Sequence, residues 1–237
     1  MVTSVATVSP SRRTAVVALR PSSTIPVRLP RRRSRLVKRS GDIVFSLMAL
    51  GLGSPVFLAI ALLVKLSSPG PVFYVQPRVG RGYRRFGCIK FRTMRRDADA
   101  LLPDLLARSQ HLRNEFQNDF KLKNDPRITP LGKFLRRSSL DELPQFLNVL
   151  RGDMSVVGPR PIVTEEISRY GDNMDDVLSV RPGLTGLWQV SGRNNLSYRK
   201  RVTLDLRYAR RRTFLLDLSI LVRTFRVILD PRDRGAY

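Results

Sequence analysis

The sequence predicts a mainly helical α+β fold, and three observations support this. Residues 43–64 form an uncharged apolar stretch, two short β-prone runs flank a turn rich in Gly and Arg, and apolar residues recur at helical spacing in later segments. A chain of 237 residues is long enough for one domain of ordinary size. We therefore expect a disordered basic arm over residues 1–37 and a single domain over residues 38–237.

The charge of the chain restricts its partners. The formal net charge is +24, from 43 basic and 19 acidic residues. Nucleic acid, an acidic membrane surface and phosphorylated small molecules are all anionic partners that a basic protein can bind, so charge alone leaves three classes of function open. The single Cys88 and single His111 exclude a disulfide, a cysteine zinc cluster and a multi-histidine metal site, so any metal would be a hard cation held by oxygens.

The first 40 residues contain ten basic residues, no acidic residue, and scattered Pro and Ser. This composition cannot bury enough apolar surface to fold, which predicts the disordered arm. The basic region is too long for a signal peptide and no cleavage pattern follows the apolar stretch, so we expect the stretch to remain in the mature protein.

The apolar stretch has basic residues at both ends, Lys38 and Arg39 before it and Lys65 after it. Because cytoplasmic flanks carry the positive charge, both ends are predicted to be cytoplasmic. At Ser54-Pro55, the proline removes a helix hydrogen bond and the serine hydroxyl can serve the freed carbonyl. We predict a re-entrant membrane helix over residues 43–66, broken at this pair. A spanning helix with a proline kink and a buried core helix are the alternatives.

The remaining elements follow from local patterns. The β-prone runs at 72–75 and 86–91 predict a β-hairpin, and residues 97–123 predict one or two helices with an apolar face. Residues 218–228 combine helical apolar spacing with Arg223 and Arg226, which is typical of an amphipathic helix on a membrane surface, although a core helix fits equally well.

The densest chemical signal surrounds Asp141 and Glu142. Ser139 and Glu142 have capping-box spacing, which predicts a helix that begins at Ser139 with both acids in its first turn. The helix start and nearby arginines would keep Asp141 ionised and nucleophilic. An aspartate can attack a phosphoryl group if arginine and Mg²⁺ neutralise the phosphate charge, and Glu142 is the candidate ligand for that metal.

Five motifs resemble those of the bacterial sugar transferase family, the monotopic polyprenyl-phosphate glycosyl-1-phosphate transferases. They are KFRTM at 90–94, DPRIT at 125–129, SLDELPQ at 139–145, GPRP at 158–161 and RPGLTG at 181–186. The resemblance runs from about residue 38 to residue 237, and five motifs in the same order are far more specific than any one of them.

This resemblance implies a Mg²⁺-dependent, two-step transfer of hexose 1-phosphate. Asp141 would attack the sugar-bearing phosphate of a UDP-sugar, release UMP and form a covalent aspartyl-phosphosugar, which polyprenyl (undecaprenyl) phosphate then accepts. Carried over by position, Glu142 is the Mg²⁺ ligand, and Ser54 and Pro55 match the break of the family's re-entrant helix. The implied phosphate contacts are Arg136 and Arg160, with Lys90, Arg92 and Arg127 as further candidates.

The C-terminal section resembles the exopolysaccharide branch of the family, which favours galactose or glucose as the sugar. The implied location is the cytoplasmic face of the bacterial inner membrane. The implied partners are a UDP-hexose, polyprenyl phosphate, anionic membrane lipids and other polysaccharide assembly proteins. One departure is visible, because Tyr83 stands where the family usually has its second hairpin glycine and Gly82 lies one position earlier.

Two rival functions come from other classes. A basic nucleic-acid-binding protein would explain the charge, but the uncharged stretch at 43–64 argues against nucleic acid as the partner. An inactive structural component of a polysaccharide export complex would explain the membrane segment, but the motif at Asp141 and Glu142 is intact.

Overall fold

A computed structural model describes residues 32–119, 122 and 124–229. Residues 1–31 of the predicted arm, which spans residues 1–37, lie outside the described residues. The described helices and strands, in chain order, are α1 Arg32–Ser67, β1 Phe73–Val79, β2 Arg85–Phe91, α2 Ala98–Arg108, α3 Gln110–Asp119, α4 Pro130–Ser138, α5 Gln145–Arg151, β3 Ser155–Val157, α6 Ile167–Tyr170, α7 Met174–Val177, β4 Gly183–Thr185, α8 Tyr198–Arg211 and α9 Phe214–Leu229.

Helix α1 is longer than predicted and continues through the proline. It begins at Arg32, so residues 32–37, which the sequence assigned to the arm, are helical. The Ser54 hydroxyl donates to the Gly51 carbonyl at 2.9 Å. That carbonyl lies four residues before Pro55, which has no N–H to donate to it. The predicted role of the serine is confirmed, but the helix is not interrupted there, and the re-entrant path stays a prediction.

The two ends of α1 pack on the same folded body. Near the start, the Arg39 guanidinium donates to the carbonyls of Val149 and Leu150 in α5. Near the end, Val64 is buried in a cluster with Phe91 of β2. Between the two ends, Leu52 is 85% exposed, and only 11% of the most apolar 18-residue window of the helix is buried. This exposure contradicts the core-helix alternative, and the helix is long and apolar enough to cross a membrane.

Strands β1 and β2 form the predicted antiparallel hairpin, with Tyr74 opposite Lys90. Its turn contains two consecutive residues in the left-handed region, Gly82 at φ 63° and Tyr83 at φ 61°. An L-residue is disfavoured in this conformation, which explains why glycine is usual at that position. The Tyr83 hydroxyl donates to Asp175 at 2.6 Å, a contact that holds the turn against α7.

Helices α2 and α3 confirm the predicted helical region after the hairpin. Helix α4 then starts at a Thr129 cap, whose hydroxyl oxygen accepts from the Gly132 N–H at 2.9 Å. Its last residue is followed by Ser139 at φ 58°, whose backbone N–H bonds to the final carbonyls of α4. Ser139 therefore closes α4 and precedes a short 3₁₀ turn over Leu140–Glu142, which its side chain does not cap. The predicted capping box was wrong, since a side-chain cap needs an extended backbone at that position.

The central core joins α5, β3, β4, α8 and α9. Its buried side chains include Val149, Met154, Trp188, Tyr208 and Ile220. The GPRP and RPGLTG motifs meet here through their backbones, because the Gly158 N–H donates to Thr185 at 2.9 Å and the Gly183 N–H donates to Pro159 at 2.7 Å. A Cβ at Gly183 would lie 2.1 Å from the Gly158 nitrogen, so this contact requires glycine. The contact fixes the loop that carries Arg160.

Helix α9 exposes apolar side chains on one face and buries Ile220 on the other. The exposed set is Phe214, Leu215, Leu218, Val222 and Phe225. Their three- and four-residue spacing forms one stripe along the helix. A core helix would bury this stripe, so the structure favours the predicted membrane-surface helix.

Candidate active site

Asp141 and Glu142 lie in a single 3₁₀ turn between α4 and α5, and not at the start of an α-helix. The Asp141 side chain is 10% exposed, whereas that of Glu142 is 39% exposed. Lys90 reaches both from β2, with its Nζ 2.6 Å from Glu142 Oε1 and 3.9 Å from Asp141 Oδ2. The structure thus brings Lys90 to the two carboxylates, where it acts as their counter-charge.

The environment of Asp141 differs from the predicted one. Burial raises the pKa of its carboxyl to about 6, the positive charge of Lys90 opposes the rise, and the neighbouring Glu142 charge adds to it. The nearby Lys90 and Arg136 charges lower this pKa, as expected of basic neighbours, but desolvation outweighs them. At pH 7, one unit above the pKa, about ten molecules in eleven are still ionised. The carboxylate remains available as a nucleophile.

Arg136 is also brought to this site. It projects from the last turn of α4, and its Nε donates to the Thr93 hydroxyl at 2.9 Å, just after the KFR segment. Burial lowers the pKa of the Arg136 guanidinium, while the charges of Asp141 and Asp125 raise it. A partly buried arginine beside this carboxylate is well placed to contact a phosphoryl oxygen.

Two of the predicted phosphate contacts are engaged elsewhere. Arg92 donates to the carbonyls of Ser68 and Pro69, so it secures the chain just after α1. Arg127 forms a buried pair with Asp125, with its Nη2 2.6 Å from Oδ2, and also donates to the Ala98 carbonyl. Sequence alone did not distinguish these arginines from Arg136. The positions of Arg92 and Arg127 therefore do not support the prediction that they contact phosphate.

Arg160 belongs to a second group of basic residues, which it forms with Arg78. Its guanidinium lies 5.8 Å from the centre of the Trp188 ring. Beside it, the buried Arg78 of β1 donates to the Pro161 carbonyl at 3.0 Å and to Gln76 at 2.6 Å. Burial lowers the pKa of Arg78, and the like charge of Arg160 lowers it further. These two cations are close enough to repel each other.

Cys88 shows that the two groups share one site. Its thiol is fully buried in β2, two residues before Lys90, and burial raises its pKa. The charged groups that act on this thiol are Lys90, Arg78, Glu142 and Arg160. Charge effects weaken with distance, so these four groups lie in the neighbourhood of Cys88.

Arg78 is a site residue that sequence analysis missed. In the sequence it was one of several arginines after the apolar stretch, and none of the predicted motifs included it. The one available signal was its position inside a β-prone run, where a charged side chain that points inward needs a partner.

A buried carboxyl, that of Asp205, lies next to the loop that carries Arg160. Asp205 of α8 is 1% exposed and accepts from the Tyr170 hydroxyl at 3.1 Å. Burial raises its pKa to about 8, although the Tyr170 hydrogen bond and the Arg160 charge both act in the opposite direction. Asp205 is therefore mostly protonated at pH 7, which allows it to stay in the core.

The carboxylates fit the needs of Mg²⁺ with respect to donor type. Mg²⁺ commonly binds through one or two protein carboxylates together with substrate phosphates. Over the described part of the chain, no group of three or more His, Cys, Asp and Glu residues is placed to hold a metal ion. The half-exposed Glu142 supplies a hard oxygen donor beside Asp141, which suits an ion that arrives with a diphosphate.

The described fold combines an exposed apolar helix, long enough to cross a membrane, with a buried carboxylate that lies near several cations. Comparison with known proteins gives the family. The bacterial sugar transferase family matches residues 33–231, and the chain belongs to this family.

Individual relatives agree with this assignment. The chain is 50% identical over 210 residues to the undecaprenyl-phosphate galactose phosphotransferase of Salmonella typhimurium, covering 88% of this chain and 43% of the relative. It is 45% identical over 202 residues to the exopolysaccharide production protein ExoY of Rhizobium meliloti, covering 85% and 88%. It is 40% identical over 199 residues to the UDP-glucose:undecaprenyl-phosphate glucose-1-phosphate transferase of Escherichia coli, covering 81% and 40%. The chain therefore spans less than half of the Salmonella and Escherichia relatives and most of the Rhizobium one.

Proposed function

We propose that this protein transfers hexose 1-phosphate from a UDP-sugar to polyprenyl (undecaprenyl) phosphate. The observation that carries the proposal is the buried Asp141 carboxylate beside Lys90 and Arg136, with the Arg78 and Arg160 pair near the same hairpin. The names of the Salmonella and Escherichia relatives, which state a phosphotransferase and a glucose-1-phosphate transferase acting with undecaprenyl phosphate, support the same reaction.

The transfer proceeds in two displacements at phosphorus. An Asp141 carboxylate oxygen attacks the sugar-bearing phosphorus, and the bond from that phosphorus to the bridging oxygen breaks, so UMP leaves with the electron pair. An oxygen of polyprenyl phosphate then attacks the phosphorus of the aspartyl-phosphosugar. This second step releases the Asp141 carboxylate and yields the polyprenyl diphosphate sugar.

The basic residues neutralise the charge on the diphosphate. Arg136 is the candidate for contact with the phosphoryl oxygens beside Asp141, and Arg78 and Arg160 are candidates for the distal phosphate. Glu142 would hold Mg²⁺, which when bound supplies further charge neutralisation at the diphosphate. In the structure the Lys90 ammonium contacts the Glu142 carboxylate at 2.6 Å, where the metal would bind. We propose that this ion pair separates when the substrate binds.

A lipid acceptor requires a site at the membrane. The exposed apolar faces of α1 and α9 support membrane association, and they also disfavour the nucleic-acid-binding rival. We propose that α1 is re-entrant and that the domain lies on the cytoplasmic face of the bacterial inner membrane. The packing of both ends of α1 on one body supports this path.

Cysteines introduced at Leu36 and Ser68 should then be labelled from the cytoplasm only, and labelling of either one from the opposite side would indicate a spanning helix.

We propose that the sugar is galactose or glucose and that the reaction initiates exopolysaccharide repeat-unit assembly. The names of the relatives support these sugars and this process, and other assembly proteins and anionic lipids are proposed as partners. The test is UMP release from a panel of UDP-sugars with Mg²⁺ and undecaprenyl phosphate. UDP-galactose or UDP-glucose should give the fastest release, and the release should be lost in Asp141→Asn. A faster reaction with a different UDP-sugar would refute the sugar assignment alone.

A further inference from the structure

A second basic region lies on the protein away from the carboxylates. It is a cleft of about 350 Å³ between the start of α1, the hairpin turn and the segment around β4. We call it the basic cleft. Its basic lining residues are Arg35, Lys38, Arg39, Arg81, Arg181 and Arg212.

The basic cleft and the active site lie near opposite ends of α5. Arg39 binds the carbonyls of Val149 and Leu150 near the last turn of α5, and Arg181 donates to the Gly152 carbonyl just beyond it at 2.8 Å. The turn that carries Asp141 precedes the first residue of the same helix. None of the active-site carboxylates or cations lines the cleft.

The positive charge in the cleft is not balanced by the described part of the protein. Lys38 pairs with Asp42 at 3.2 Å and with Asp217 at 3.0 Å. Among the described residues, none of the five lining arginines has a carboxylate within 4.0 Å. Arg39 and Arg181 donate to backbone carbonyls, which satisfy their N–H groups without cancelling their charge.

The arginines also act on one another. Burial lowers the pKa of Arg181, and the charges of Arg81, Arg39 and Arg212 lower it further, while that of Asp42, which also lines the cleft, raises it. Burial likewise lowers the pKa of Arg212; the charges of Tyr208 and Asp217 oppose this change, and the like charges of Arg35 and Arg81 add to it. Like charges that converge in one cleft are destabilising unless an anion joins them.

The position of the cleft indicates the kind of anion. It surrounds the first turns of α1, and the exposed apolar face of that helix begins immediately afterwards, with Val44 54% and Leu47 57% exposed. Phosphate groups of lipids lie at this level of a membrane. Arginine forks bind phosphate oxygens in pairs, and a cleft of this volume accommodates a phosphate with its substituent.

We propose that the basic cleft is a phosphate-binding site separate from the active site, and that its ligand is a phosphate-bearing group of a lipid headgroup or a free phosphate. The site does not depend on the proposed reaction, since none of its residues takes part in that reaction.

The test measures binding of two probes to the full chain in neutral detergent micelles at 150 mM salt. The probes are a short-chain phosphatidylglycerol and inorganic phosphate. The variant is Arg81→Gln with Arg212→Gln, because no hydrogen bond or ion pair of either side chain is found in the described part of the chain. The matched control is Arg199→Gln with Arg207→Gln, which removes the same charge from the exposed face of α8.

We expect the cleft variant to bind at least one probe about tenfold more weakly than wild type, by the loss of charge-assisted contacts. The control should bind as wild type does. A loss confined to phosphatidylglycerol identifies a lipid headgroup, and a loss that includes inorganic phosphate identifies a free phosphate site. Equal binding by the cleft variant and wild type, or an equal loss in the control, would overturn the proposal, with UMP release left as a separate readout of the proposed reaction.

Discussion

At the scale of single residues, the properties of Asp141 depend on two opposing effects. Burial raises the pKa of its carboxyl to about 6, and the nearby Lys90 charge limits that rise. The nucleophile is the ionised form, so activity should require a pH above this value.

The first prediction concerns the pH dependence of kcat/KM. It should fall as pH decreases through about 6, because protonated Asp141 cannot attack phosphorus. In Lys90→Gln the acidic limb should shift to higher pH, since the charge that opposes burial is lost. Lys133→Gln, at an exposed position of α4, is the control and should keep the wild-type profile. A profile that is level between pH 5 and 7 would contradict this assignment, and UMP release measures it.

At the scale of elements, the Ser54 hydroxyl replaces the backbone N–H that Pro55 lacks as a hydrogen-bond donor within α1. The serine hydroxyl serves the Gly51 carbonyl that the proline leaves without an N–H. Ser54 is exposed on a helix that we propose enters the membrane. In the membrane interior no water is available to donate a hydrogen bond to a carbonyl that lacks its helical N–H partner.

The second prediction is a double-mutant cycle at this pair. Ser54→Ala should lower stability by about 1 kcal/mol, as removal of a hydrogen bond in lipid typically does. In the Pro55→Ala background the same change should have little effect, because the alanine N–H reaches the Gly51 carbonyl in the normal helical pattern. Thermal unfolding in lipid nanodiscs measures both. Equal effects of Ser54→Ala in the two backgrounds would show that the hydroxyl does not compensate for the proline.

Elements also show what sequence could and could not predict. The hairpin and the helices were predicted because their patterns are local, with alternation in the strands and three- to four-residue spacing in the helices. The capping box at Ser139 was wrong because the preceding helix α4 sets the backbone of that residue. The separate roles of Arg92 and Arg136 could not be predicted, since both follow from tertiary contacts. Arg78 was missed for the same reason.

At the scale of the whole molecule, stability depends on a carboxyl buried in the core. The pKa of Asp205 is about 8 in the folded protein and near 3.8 when unfolded. The folded state therefore holds a proton that the unfolded state releases, which stabilises the fold at low pH. This contribution is complete below about pH 4 and is lost as pH rises to about 8.

The third prediction follows from this sign. Asp205→Asn should remove the part of the Tm decrease between pH 4 and 8 that this group causes, because asparagine does not ionise. Asp172→Asn, at an exposed position, is the control and should retain the wild-type slope. Calorimetry across this pH range measures the difference between the variants. Parallel curves for wild type and Asp205→Asn would show that the buried carboxyl does not control stability.

The whole account depends most directly on a covalent bond at Asp141. Purified protein is incubated with UDP-galactose or UDP-glucose and Mg²⁺ without lipid acceptor, and its intact mass is measured. We predict a gain of one phosphohexose per chain, lost again when undecaprenyl phosphate is added and absent in Asp141→Asn. An unchanged mass in the wild type, or UMP release that persists in Asp141→Asn, would contradict the two-step mechanism.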